Sequence, residues 1–220
     1  MTHSLHRYGS IESQKHDFVW FMYPASGIND KGIRDDALQF IDIAEKAGSE
    51  NWGDVKVGCK LEHGVQKLKD NISDKSRLRG VFTKKEQVVQ FLKDLKEADL
   101  GYSVIIAGLL DEILAACKEA KLTPHTMNYS LGIWGKKELL PEDDVLAITT
   151  MCGHHMISSG IVEKNMKLVK EGKKSAEKAA NEFAIICPCG IFNQVRAKKV
   201  LEKQNKNSKN ISLGMMRKSK

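Results

Sequence analysis

The sequence predicts an α/β protein: a Rossmann-like open parallel sheet of about five strands, with a helical C-terminal segment carrying a Cys-rich metal site. Three observations predict it. Through the first two-thirds of the chain, short β-rich runs alternate with helical patterns, as in stacked βα units. The runs Phe18–Tyr23 and Tyr102–Ala107 are nearly all apolar, as expected of strands covered on both faces. Beyond Trp134-Gly135 the pattern turns helical, and two short Gly-bearing turns there hold three of the five cysteines.

The first strand, Phe18–Tyr23, breaks at the turn-rich loop Pro24 to Asn29. A helix follows with Ile33, Ala37, Phe40, Ile41 and Ala44 on one face and Gly48 as its stop. Asp54–Gly58 reads as the second strand and Arg79–Phe82 as the third. Thr83 and Glu86 have the spacing of a capping box for a helix whose stripe is Val88, Phe91, Leu92 and Leu95. Tyr102–Ala107 is the fourth strand; Gly108 leads into a helix aligning Leu110, Ile113, Leu114 and Cys117. His125–Ile133 supplies the fifth. Right-handed crossovers then place helices on both faces of the sheet.

In the C-terminal part, the β-branched content of residues 145–151 is compatible with a sixth strand, but Pro141 and the acids after it are a helix start and favour a helix there. Ser158 and Ser175 are caps for the next two helices, and residues 191–203 form the last. The chain thus divides into a Rossmann-like unit, 1–135, a helical cysteine-bearing segment packed on it, 136–203, and a basic disordered tail, 204–220.

That tail explains the charge. The chain of 220 residues has a net charge of +7, and from Gln194 onward nine Lys or Arg stand against one Glu. Neither an RNA-binding signature nor a series of stacking aromatics accompanies it, so a solvated tail is expected rather than a nucleic-acid surface. No apolar run approaches the ~20 residues of a membrane span, and the N-terminus lacks the apolar stretch of a secretory signal. A cytoplasmic location follows. Thiols stay reduced there, so the five cysteines read as ligands or nucleophiles rather than a disulfide framework.

Cys152-Gly153-His154-His155 and Cys187-Pro188-Cys189-Gly190 concentrate soft thiolates in two turns that a helical hairpin can bring together. Cys152, Cys187 and Cys189 are the candidate metal ligands. Gly153 and Gly190 allow close backbone approach, Arg196 adds positive potential, and all three are candidate cofactor-binding residues. Three readings compete. A [4Fe-4S] cluster on the three cysteines leaves an open iron to bind a small substrate, an arrangement suited to an enzyme of anaerobic metabolism. A Cys₃His set including His154 or His155 suits zinc, although one-residue ligand spacings are tight for it. Without metal, the sulfurs can carry out thiol redox or sulfur transfer. Cys-Pro-Cys resembles the element in the catalytic subunit of ferredoxin–thioredoxin reductase, a resemblance confined to these three residues, and implies that such a pair can ligate a cluster. Cys117 reads as a buried small hydrophobe, and Cys59 as the same or a fourth ligand.

His154, His155 and His125 are the candidate acid–base residues. Ser26, Gly27 and Asn29, after the first strand, and Asn193 are the candidate substrate-binding residues, since ligands of open parallel sheets sit beyond the strands' carboxyl ends. Nucleotide use is poorly supported: neither a G-x-G-x-x-G after the first strand nor a P-loop occurs. The expected protein is an enzyme of open reaction class: lyase, transferase or oxidoreductase. An electron-donor protein and self-association are both compatible with this reading. The rival is a zinc-binding, electron-transfer or interaction module without turnover.

Overall fold

The computed structural model describes residues 2–204; the predicted basic tail falls, but for its first residue, outside them. Two short helices, α1 (Thr2–Leu5) and α2 (Ile11–Gln14), precede the central strand β1 (Phe18–Tyr23). The chain continues through α3 (Arg34–Lys46), β2 (Asn51–Asp54), β3 (Gly58–Cys59), α4 (Lys60–His63) and α5 (Val65–Asp70). Then come β4 (Leu78–Phe82), α6 (Lys85–Ala98), β5 (Ser103–Ala107) and α7 (Leu110–Glu119). After a long irregular stretch, α8 (Asp143–Thr149), α9 (Ser159–Lys170) and α10 (Ala176–Ile186) lead to helical residues 194–204.

The five strands form one sheet in the order β3-β2-β4-β1-β5, and every neighbouring pair is antiparallel. This overturns the expected parallel Rossmann-like sheet. The reason lies in where the strands insert. Helix α3 joins β1 to β2, and α6 joins β4 to β5, as crossovers would. But β4 stands between β1 and β2, and β1 between β4 and β5. Each crossover therefore spans a gap filled by a strand running the other way, a pair of interleaved split βαβ units. The hydrophobic periods of joined elements are the same in both topologies, so the pattern does not distinguish them.

Two further differences follow. The fifth predicted strand, His125–Ile133, is irregular and exposed, and the second, Asp54–Gly58, is mostly the turn 55–57 that joins β2 to β3. Tyr102–Ala107 is not fully covered, because β5 is an edge and Ser103 is exposed. The expected caps Ser158 and Ser175 do accept from the amides of Ile161 and Lys178. At α6, Gln87 rather than Glu86 reaches back, its Oε1 accepting from the Thr83 and Lys84 amides at 3.0 and 2.9 Å.

Alternation along β1 sorts the core into two layers. Phe18, Trp20 and Met22 pack with Phe82 against α3, α6 and α7 on one face. Val19 and Phe21 pack with Val81 and Ala107 against α8, α9, α10 and the C-terminal helix on the other. On the first face, Trp20 lies among Phe40, Phe82 and Phe91, and donates from its indole to Ser49 at 3.0 Å. Each such fully buried large side chain contributes on the order of 2–3 kcal/mol. The second face carries the cysteines.

Candidate functional site: a buried three-cysteine centre

The site begins with the sheet. Gly53, Arg79 and Phe21 form one cross-strand row on the cysteine face, continued by Cys59 beyond Gly53. Gly53 leaves room over β2: a Cβ there would lie 2.6 Å from the Pro188 carbonyl oxygen. Gly190 meets it from above with φ +73°, where a Cβ would fall 2.1 Å from the Trp52 carbonyl carbon. Two glycines on opposite sides of one contact thus seat the Cys187–Gly190 turn directly on the sheet. The turn closes by the Gly190 amide donating to the Cys187 carbonyl at 3.1 Å, where α10 ends.

The other cysteine follows α8, the Cys152 amide donating to the Thr149 carbonyl at 3.3 Å. The next turn closes through the His155 amide on the Cys152 carbonyl at 3.1 Å, and His155, not Gly153, takes the left-handed position at φ 53°. His154, His155 and Met156 are exposed, forming a thin cover above buried Cys152.

Beneath that cover Cys152, Cys187 and Cys189 are all fully buried, and their sulfurs meet. Cys187 Sγ lies 3.5 Å from Cys189 Sγ, and Cys189 Sγ lies 3.7 Å from His154 Nδ1. Cys187 is paired with both neighbours, and although either sulfur of the Cys187–Cys189 contact can donate, a Cys187 proton shared between them leaves the outer two as thiolates. That donation, with the His154 and Met156 amides, lowers the Cys152 thiol to about 5. The same donor, aided by the Ile191 amide, Arg79 and His154, lowers Cys189 to about 6 against the cost of burial. Cys187, between two thiolates, holds its proton more tightly than an ordinary thiol. The arrangement is one S–H shared by two flanking sulfurs that favour the anion.

What fixes the two turns relative to each other is an ion cluster that the sequence reading did not find. Arg7 donates from Nη2 to the Met151 carbonyl at 2.9 Å and to the Ile191 carbonyl, and from Nη1 to Asp17 at 2.5 Å. Asp17 also accepts from Arg196 Nη1 at 2.6 Å and from Asn193 Nδ2 at 3.0 Å. Arg196 further donates to Ser13 Oγ at 3.0 Å and to the Tyr8 carbonyl. Burial would raise the Asp17 carboxyl, but Arg7 and Arg196 hold it below the usual carboxylate value.

The predicted site residues therefore separate. Cys152, Cys187, Cys189 and His154 come together. Arg196 and Asn193 lie in the buried ion cluster, occupied in bracing the turns, and Gly190 is needed for packing. His155 is exposed, and His125 bonds its neighbour Thr126 at 2.8 Å. Ser26 and Gly27 are exposed, while Asn29 ties Ala25 to Gly101 through its side chain. The shared floor expected at the strands' carboxyl ends does not form. In this antiparallel sheet the end of β1 lies beside the start of β5, whereas Gly108 lies at the opposite end, beside Asp17. Cys117 is half-buried on α7, and Cys59 is buried with Sγ 3.6 Å from the Ala184 carbonyl.

Among the described residues, no group of three or more His, Cys, Asp or Glu is arranged to hold a metal ion. Nor is any helix there long and apolar enough to cross a membrane. No family model, curated protein or solved structure matches this chain.

Proposed function

We propose that the protein is a thiol-redox protein whose working centre is the Cys152–Cys187–Cys189 trio. The observation that carries this is the 3.5 Å contact of Cys187 with Cys189, together with the hydrogen bond by which Cys187 also serves Cys152. A thiolate beside a thiol is the arrangement from which a disulfide forms. The covering turn, with all three sulfurs buried, favours a small oxidant such as a hydroperoxide. The Cys152 thiolate attacks the outer peroxide oxygen, the O–O bond breaks, and the alkoxide takes a proton to leave as alcohol or water. Cys187 then attacks the sulfenic sulfur; its proton and the hydroxyl leave as water, and a Cys152–Cys187 disulfide remains. Attack by the Cys189 thiolate on Cys187 moves the bond to Cys187–Cys189 and frees the Cys152 thiolate; a dithiol reductant then exchanges with the Cys187–Cys189 disulfide, leaving as its own disulfide, before another turn. A cytoplasmic setting, where the resting thiols stay reduced, suits this chemistry.

The test is mass mapping and thiol counting of reduced protein treated with a stoichiometric hydroperoxide. Two of the five thiols should be lost, in a Cys187-containing disulfide that Cys187→Ala cannot form and Cys117→Ala leaves unchanged. Retention of all five thiols would overturn the proposal.

The metal readings are the second proposal, favoured by one feature: Cys189 Sγ lies 3.5 Å from Cys187 Sγ and 3.7 Å from His154 Nδ1, although no group of three ligands among the described residues is arranged around an ion. A sulfur separation of 3.5 Å suits one small ion better than a [4Fe-4S] cube, which sets its cysteines on separate irons. Iron, sulfide and zinc analysis of anaerobically purified protein decides it. Stoichiometric metal that is lost in Cys187→Ala would replace the redox trio as the leading reading.

A further inference from the structure

Away from the cysteines, a cavity of about 800 Å³ opens between the β5 edge, α7, the N-terminal segment and the irregular stretch after α7. This volume lies in the range of small-molecule sites and far exceeds the voids of a packed interior. Its apolar wall includes Ile106, Leu114, Ile133 and Leu146. The stretch that roofs it has no regular structure from residue 121 to 136, a length at which loops are commonly functional. It is pinned by His6 Nδ1 to Ser130 Oγ at 3.0 Å.

Four charged side chains line the cavity, Arg7 and Lys137 against Asp17 and Asp143, so the sign it favours is set by which of them are already engaged. Asp143 accepts from Tyr8 at 2.8 Å and lies in the first turn of α8. Asp17 is shared by Arg7 and Arg196, so two guanidinium groups face one carboxylate and the cluster keeps one positive charge. Arg7 lines the cavity, and its buried Nε–H has no hydrogen-bond partner. From the exposed side comes Lys137, whose ammonium makes no ion pair or hydrogen bond among the described residues.

We infer that this cavity is a binding site for a small amphipathic organic anion, its apolar body against Ile106 and Leu114 and its acidic group attracted by Lys137 and the Arg7 cluster. The inference is independent of the cysteine chemistry.

Two fluorescent probes of similar shape separate its parts: anilinonaphthalene sulfonate, an anion, and N-phenylnaphthylamine, which is neutral. Titrated into the folded full chain, both should bind saturably at one site. Lys137→Glu should weaken the sulfonate at least fivefold and leave the amine unchanged, and decanoate should displace both. Leu114→Trp should fill the cavity and abolish both signals; Ile133→Trp, on the roof, does the same should the first variant not fold. Absence of saturable binding, or fillers that leave both probes bound, would overturn the site. A sulfonate affinity indifferent to Lys137→Glu would overturn its anionic preference.

Discussion

The guanidinium of Arg7 donates to the carbonyl of Met151 across 2.9 Å, so a residue near the start of the chain fixes the turn that carries Cys152. Its second bond, to the Ile191 carbonyl, fixes the turn that carries Cys189. Neither carbonyl belongs to a regular ladder, and Arg7 serves both because Asp17 offsets its charge. The cysteine centre is thus held by an ion cluster with side chains only 1–6% exposed.

Breaking that cluster on one side is predicted to be severe. Arg196→Met leaves Asp17 with one cation, removes the donors to Ser13 and the Tyr8 carbonyl, and should cost about 3–5 kcal/mol in urea unfolding. Asp17→Asn should cost a similar amount, since two buried cations then lack their carboxylate. A loss below about 1 kcal/mol in both variants would show that the cluster is not what holds the turns.

The same cluster predicts an acid-side instability. The folded-state pKa of Asp17 is lowered, so its stabilisation is fully present above the unfolded value of about 3.9 and fades as pH falls through the folded one. Stability measured by urea unfolding should therefore fall progressively as the pH is taken below about 4. Arg196→Met, with less to lose, should show a shallower decline.

Much of this was legible in the sequence, and the limits have physical causes. The apolar runs read at Phe18–Tyr23 and Tyr102–Ala107 and the short segment Arg79–Phe82 coincide with β1, β5 and β4, and Ser158 and Ser175 cap where the pattern places them. Strand direction leaves no such trace, because α3 and α6 cross over a neighbour in this fold as they would in a parallel one. The convergence of Cys152 with Cys187 and Cys189 was readable from two Gly-bearing turns flanking a helical hairpin. The role of Arg7 was not, since its partners are backbone carbonyls 144 and 184 residues away, which no residue type identifies. The only available signal was Asp17, an acid set directly before an apolar strand and so bound to be buried beside a cation.

Two glycines with nearly the same backbone angle test how the Cys187–Gly190 turn is seated. Gly27 has φ +75° and open space where a Cβ would go, so Gly27→Ala should cost only the left-handed strain, about 1–2 kcal/mol. Gly190 has φ +73°, but its Cβ would lie 2.1 Å from the Trp52 backbone. Gly190→Ala should therefore exceed about 4 kcal/mol, and the excess measures how rigidly the turn lies on β2. Equal losses would mean that the turn lifts freely from the sheet.

The shared proton of Cys187 makes the last prediction. With Cys187 in place, Cys152 and Cys189 titrate near 5 and 6, so thiolate absorbance in the ultraviolet should already be developed at neutral pH. Cys187→Ala removes the first cause of both shifts while leaving the flanking amides. Burial and the mutual repulsion of the two remaining thiolates then act with less opposition, and the midpoint should rise toward the free-thiol value of about 8.5. A rise of more than one pH unit corresponds to a tenfold change in thiolate-to-thiol ratio. Hydroperoxide consumption at pH 7 should fall with it, because the attacking species is the thiolate. An absorbance titration unchanged by the substitution would show that Cys187 is not the donor, and the order of attack proposed for the trio would fail with it.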